Sequence, residues 1–392
     1  MTRSFSLFLI IVACFFQLNA QQKLSTKASI SVVTCGPGTD LYTAFGHSAF
    51  RVFDPSLGID KVYNYGTFDF NAPNFYLNFA KGNLTYFLAT GNFNRFLRIY
   101  QYENRWVKTQ VLNLSNEDVQ AMYLFLEENA KPENRNYQYD FFYDNCSTKI
   151  EAVVTAVLKD KIQFSNKHIT TQKTHRDLIY DYTKDFKWGK FGIDLALGAV
   201  IDDEASKNDY KFLPDYIFEA FEQATIQKEG VIEPLVQNEY LIIKEKPIAN
   251  STKLLTPFNV ILLFSLLIVY KTYKNFQLKK RSKWLDFLLF LTTGIIGILV
   301  LLLWFATTHT ATYQNFNFLW AFAPNIVIAF YLLKTNTPKW LHYYLILNIL
   351  LLITMVICWL LKIQIFNLAL LPLIVALALR YVYLMQVIKL KK

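Results

Sequence analysis

The hydrophobic pattern changes period several times along the chain, and each change marks an element. "ISVVTC" is a continuous apolar run of strand length, closed by the turn signal "GPGTD". "LYTAFGHSAFRVF" leads into a second strand in which Ala49, Arg51 and Phe53 share one face; "DPSLGID" is a loop and "KVYNYG" reads as the returning strand. The pattern predicts a β-hairpin over residues 47–66, with Asn64 opposite His47 to within about two positions. Residues 72–107 are crowded with aromatics and follow neither period. "SNEDVQAMYLFLEENAK" predicts a helix with Ser115 as N-cap, Asp118 at the capping-box position, and Val119, Met122, Tyr123 and Leu126 on one face. After "YQYDFFYDN", the apolar residues Ile150, Val153, Val154, Val157 and Leu158 recur at helical spacing, with Asp144 or Asn145 as N-cap. That places Cys146 in the first turn of a buried helix. The stretch "DDEASKNDYKFLPDY" reads as a solvated loop.

From about Leu255 the pattern loses its polar positions, leaving five apolar stretches near bilayer length: 255–273, 284–305, 316–333, 341–361 and 365–386. At the other end, "MTRSFSLFLIIVACFFQLNA" has a basic Arg3, an apolar core and a small Ala20 before "QQ", which predicts a signal peptide over residues 1–20. A rival reading takes "IVAC" as a lipobox with Cys14 lipidated, but the apolar run continues past Cys14 to Phe16. The expected organisation is a signal peptide (1–20), an exported domain (21–250) and a five-span membrane domain (251–392).

Composition agrees: 53% hydrophobic and 17% aromatic residues over 392 positions are too many for a wholly soluble protein. The net charge of +10 suggests nucleic acid until it is divided along the chain. Residues 21–250 carry 25 basic against 29 acidic side chains, whereas residues 251–392 carry 14 against 1, so the basicity belongs to the membrane half. Within that half, "KTYKNFQLKKRSK" holds six basic residues and Lys389, Lys391 and Lys392 end the chain, while "THTATYQN" has no charge. The bias of basic loops toward the cytoplasm then places residues 21–250 outside the inner membrane and the C-terminus inside, with no nucleic-acid partner.

The exported part has two candidate reactive side chains. A thiol is a useful nucleophile only as thiolate, and a helix start supplies partial positive charge and unpaired amides that favour the anion. A histidine in hydrogen-bond reach takes the proton and returns it to a leaving group, and a third polar group holds the imidazole in place. Cys146 at a helix start, His47 on a strand and Asn64 on the neighbouring strand give the papain-type layout, with the histidine preceding the cysteine. The expected fold class is therefore α+β, a circularly permuted papain-like (NlpC/P60-like) domain followed by the membrane helices. No cofactor or metal is called for. A Cys35–Cys146 disulfide in an oxidising compartment is the competing reading of the same cysteine. Arg51, on the same strand face as His47, is a candidate for a lipid phosphate, against the plainer reading of an exposed strand arginine. His309, Asn315 and Asn317 form a polar cluster at a span's end.

"CGPGTDLYTAFGHSAFRVFDPSLGIDKVYNYGTFDF", "YQYDFFYDNCSTKI" and "GIDLALG" resemble the Lnb-type lipoprotein N-acyltransferases of Bacteroidota, and "HTATYQNFNFLWAFAP" is similar to the stretch after that family's second span. The resemblance implies a periplasmic papain-like domain on five membrane helices, with Cys146 as nucleophile and His47 as its base; Asn64 as third member comes from the hairpin alone. It also implies an acyl group passed from a membrane lipid or a lipoprotein, through a thioester, to the α-amino group of a diacylated lipoprotein's N-terminal cysteine. Two rivals stand beside it: a membrane-anchored cysteine peptidase or amidase acting on cell-wall peptides, and a disulfide-stapled binding domain. Oligomeric state is not legible.

Overall fold

The computed structural model describes residues 22–246 and 254–389; the expected signal peptide and the expected domain boundary at residue 250 lie outside them. A seven-stranded antiparallel sheet organises the first part. Its strands are β1 (Ser29–Cys35), β2 (His47–Asp54), β3 (Ile59–Thr67), β4 (Thr85–Asn92), β5 (Val107–Leu112), β6 (Asn136–Gln138) and, after a small second sheet of β7 (Ile162–Gln163), β8 (Thr225–Lys228) and β9 (Val231–Pro234), the late strand β10 (Val236–Ile243). The spatial order is β10-β5-β1-β2-β3-β4-β6. The hairpin is present: Phe50 pairs with Tyr63, and continuing that register puts Asn64 two residues from the position facing His47.

The helices before the membrane part are α1 (Phe75–Lys81), α2 (Phe93–Tyr102), α3 (Asn116–Asn129), α4 (Cys146–Leu158), α5 (His175–Tyr182), α6 (Lys187–Ala196) and α7 (Pro214–Glu222). The aromatic region without a legible period thus contains α1, β4 and α2. The apolar faces of α3 and α4, with Ile217 and Phe221 of α7, cover one side of the sheet against Ile30, Val32, Phe50, Val52 and Tyr63. Ile150, Val153, Val154 and Leu158 on α4 are all buried, each contributing about 1.5–3 kcal/mol of apolar transfer. The other side of β1, β2 and β5 is covered by Phe93, Phe96 and Tyr100 of α2.

The expected solvated loop over 202–216 is exposed at residues 203, 204 and 206–208, but Ala205, Tyr210, Phe212 and Leu213 are core, packed with Leu178, Ile179 and Phe142. Two of its charged residues mislead because they are paired; Asp202 holds Arg176, and Lys211 is buried against Glu151.

The membrane part comprises α8 (Pro257–Gln277), α9 (Lys283–Phe305), α10 (Asn325–Leu333), α11 (Leu341–Leu360) and α12 (Leu370–Lys389). Among the described residues, three of these helices, α9, α11 and α12, are long and apolar enough to cross a membrane. The other two expected spans take different forms. Lys271, Thr272, Lys274 and Asn275 crowd the last turns of α8 with polar groups. The third breaks into a 3-10 turn at Phe316–Leu319 and a nine-residue helix after Pro324, about 13 Å of rise against about 30 Å of hydrocarbon. At one end of the bundle Arg380 of α12 donates to Asp286 of α9 and to Asn275 of α8, tying three helices through one buried ion pair.

Candidate active site

The start of α4 is fixed before any chemistry is considered. Asn145 caps it, accepting from the amides of Ser147 (2.8 Å) and Thr148 (3.0 Å), while the Thr148 hydroxyl accepts from the Asn145 amide at 2.8 Å. The Asn145 side chain also donates to the carbonyls of Phe141 and Phe212, so the cap is held from outside the helix as well. Such a cap is worth about 1 kcal/mol and sets where the helix begins. It makes Cys146 the first helical residue.

The imidazole arrives from β2 and its partner from β3. His47 Nε2 and Asn64 Oδ1 are hydrogen-bonded, which leaves Nδ1 for the thiol, and the imidazole and the Cys146 thiol lie close enough to shift each other's pKa. Gly66 forms the floor. Its φ of +83° is a left-handed conformation, and a Cβ there would lie 3.3 Å from Cys146 Cβ and 3.8 Å from His47 Cε1, so a side chain would enter the space between strand and helix. A buried 3.4 Å contact between the Ser48 and Ser147 hydroxyls ties β2 to α4 beside the pair.

The electrostatics shift both groups toward their charged forms. Burial disfavours a charged thiol, but the charge and hydrogen bond of His47, the Ser48 amide and the Ser147 hydroxyl outweigh it and hold the Cys146 pKa below the ordinary thiol value. Burial likewise disfavours the imidazolium, and the Cys146 charge with the Asn64 hydrogen bond overcomes it, raising the His47 pKa. Both shifts have one cause, each charged form stabilising the other. Both side chains keep partial solvent access.

The structure brings together the three residues expected at the centre and separates the others from it. Cys35 lies on β1 as the cross-strand partner of His47, fully buried, with burial pushing its thiol up to about 12; Cys35 and Cys146 are both free thiols. Arg51 is clamped by Asp60 at 2.7 and 3.0 Å, its guanidinium 4.0 Å from the Phe93 ring, so its charge is committed within the hairpin. Asn315 and Asn317 are fully buried, and their amides donate to the carbonyls of Leu195, Ala196 and Asp194 at the end of α6, leaving no donor for a head group. His309 contacts the Phe79 carbonyl at 3.0 Å.

Two features escaped the sequence. The first is a stacked pair, Tyr86 and Tyr139, with ring centroids 4.0 Å apart; the Cys146 charge adds to burial in raising the pKa of both phenols. Their only sequence signal was aromatic crowding. The second is how "GIDLALG" meets "TYQNFNFLW". Asp194 accepts from Arg176, Tyr180 and Asn367, the amides of Gly198 and Ala199 donate to the carbonyls of Ala311 and Gln314, and a Cβ on Gly198 would fall 1.7 Å from the Tyr313 carbonyl oxygen. Only glycine lets the two backbones come this close.

No curated protein and no solved structure matches the chain. Two family models do: one described as the Lnb N-terminal periplasmic domain over residues 17–179, and one described as the Lnb transmembrane domain over residues 249–392. Together they span most of the sequence, leaving between them the segment that carries the docking helix α6. With a periplasmic domain, a transmembrane domain and apolar helices of spanning length, this inner-membrane protein of lipoprotein maturation belongs to the Lnb-type lipoprotein N-acyltransferase family.

Proposed function

We propose that the protein is an N-acyltransferase that moves a fatty acyl group through a Cys146 thioester to the α-amino group of a diacylated lipoprotein's N-terminal cysteine. The observation that carries this reading is the Cys146, His47 and Asn64 arrangement on a chain of this family. We read the domain as papain-like in permuted order, as residues 21–250, followed by a membrane domain of five helices over 251–392 with its C-terminus in the cytoplasm.

In the first half-reaction the thiolate attacks the ester carbonyl of the donor, a phospholipid or a lipoprotein-borne acyl ester. The carbonyl oxygen gains the charge, and the Cys146 amide, free as the first N–H of α4, is placed to receive it. The C–O bond then breaks, His47 gives its proton to the departing alkoxide, and a thioester remains. In the second half-reaction the α-amino nitrogen attacks the thioester carbonyl and passes a proton to His47. The C–S bond breaks, the amide leaves and the ion pair is restored. Asn64 keeps the imidazole oriented through both steps. Holding donor and acceptor in one leaflet beside the anchored domain raises their effective concentration.

The cell-wall peptidase reading is weaker because the Cys146 loop is braced by the membrane part, with Thr310 Oγ1 donating to Asp140 at 2.8 Å. Mass spectrometry of lipoprotein N-termini tests the proposal. Cells lacking the protein, or carrying Cys146→Ala, are expected to lose the amide-linked third acyl chain. An unchanged third chain in both strains overturns it.

A further inference from the structure

We propose that the segment from Phe70 to Phe79 is a lip set into the periplasmic leaflet, and that the aromatic row behind it guides a lipid acyl chain to Cys146. The lip is apolar and open: Phe70 is 61% exposed, Tyr76 79%, Leu77 53% and Phe79 54%. An apolar patch left uncovered in this way marks an interaction site. Its position says which one. The Thr308 amide donates to the Lys81 carbonyl at 2.9 Å, the Thr308 hydroxyl to the Gly82 carbonyl at 2.9 Å, and His309 meets the Phe79 carbonyl at 3.0 Å. That loop begins directly after α9, a helix of spanning length whose last residue, Phe305, is 72% exposed. Helix α1 is therefore fastened at the level where a spanning helix leaves the hydrocarbon, and its apolar side chains sit where aromatic residues partition favourably.

Behind the lip the rings form a continuous row. Phe79 stacks on Phe75 (6.4 Å between centroids), Phe75 on Phe68 (5.8 Å), Phe68 meets Tyr86 edge-on (5.2 Å), and Tyr86 stacks on Tyr139 (4.0 Å). The Asp140–Asp144 bridge folds the next segment back, so that Tyr139 and Cys146 flank one tight loop. A flexible hydrocarbon entering at Phe79 meets an aromatic wall as far as Tyr139, whose phenol feels the Cys146 charge. The track rests on the acyl-transfer reading above, whereas the lip does not.

The lip is tested with full-length Cys146→Ala protein in phosphatidylcholine nanodiscs containing a lipid with a nitroxide on its acyl chain. Because Cys14 leaves with the expected signal peptide and Cys35 and Cys358 are buried, an environment-sensitive fluorophore attaches selectively to an introduced Leu77→Cys or, as control, to Ser56→Cys at the exposed hairpin turn. Several-fold stronger quenching and a blue shift at position 77 are expected; equal quenching at the two positions overturns the lip. The track is tested with Phe68→Ala in protein that retains Cys146. Release of lysophospholipid in a single turnover is expected to slow several-fold, while alkylation of Cys146 by a small water-soluble reagent keeps its rate. Unchanged release overturns the track. If the unaltered protein releases none, the track fails as a phospholipid route; if it also forms no N-acylated lipoprotein, the acyl-transfer reading fails with it, while quenching at position 77 still decides the lip.

Discussion

At the seam between the sheet domain and the membrane helices, Asp194 is buried and accepts from three donors, Asn315 and Asn317 have every amide hydrogen committed, and Arg176 divides its guanidinium between Asp194, Asp202 and the Gly198 carbonyl. At Cys146 the polar groups are as closely spaced, yet the thiol and imidazole keep partial solvent access, and each shifts the other's pKa toward its charged form. The seam satisfies its charges completely and so becomes rigid. In the proposed mechanism the pocket leaves one proton with two acceptable positions, the thiol and the imidazole. Polar density alone does not distinguish a hinge pin from an active site; what distinguishes them is whether any group has chemistry left over.

The comparison is broken most severely by changing the proton's partner. His47→Ala is expected to lower acyl transfer by about 10²–10⁴-fold. It also removes the charge that offsets burial, so the inflection of Cys146 alkylation against pH moves upward and the rate at neutral pH falls; an unmoved inflection means that His47 does not hold the thiolate. At the seam, Arg176→Ala leaves two buried carboxylates without a cation, one of which, Asp202, burial already pulls upward in pKa. A loss of about 3–5 kcal/mol in denaturation of the detergent-solubilised protein is expected, with the Cys146 alkylation profile unchanged in the folded fraction. The smallest effect belongs to Arg51→Ala, whose ion pair with Asp60 is partly exposed: about 1 kcal/mol of stability and no change in acyl transfer. A large activity loss there would return Arg51 to the lipid site.

Much of this arrangement was legible because it rests on local rules. The "DNCST" cap, the apolar face of α4 and the alternation of the hairpin each depend on neighbours in sequence, and the hairpin register came within the stated two positions. What stayed hidden depends on partners far along the chain. Asp194 and Asp202 look solvent-bound until Arg176 and Asn367 are placed beside them, and Asn315 looks available until α6 presents its last carbonyls. The third apolar run counted as a span because hydropathy does not register that Asn315, Asn317 and Pro324 stop a helix from forming over its first half.

The loop at residues 308–310 grips Lys81 and Gly82 with one residue and Asp140 with another, so it joins the end of a membrane helix to both α1 and the turn that carries the nucleophile. The vertical position of that helix follows the thickness of the surrounding bilayer, which it matches by tilting or shifting at a modest energetic cost. Because one loop holds both, a shift of that helix is passed to α1 and to the Cys146 turn together, which keeps their spacing constant.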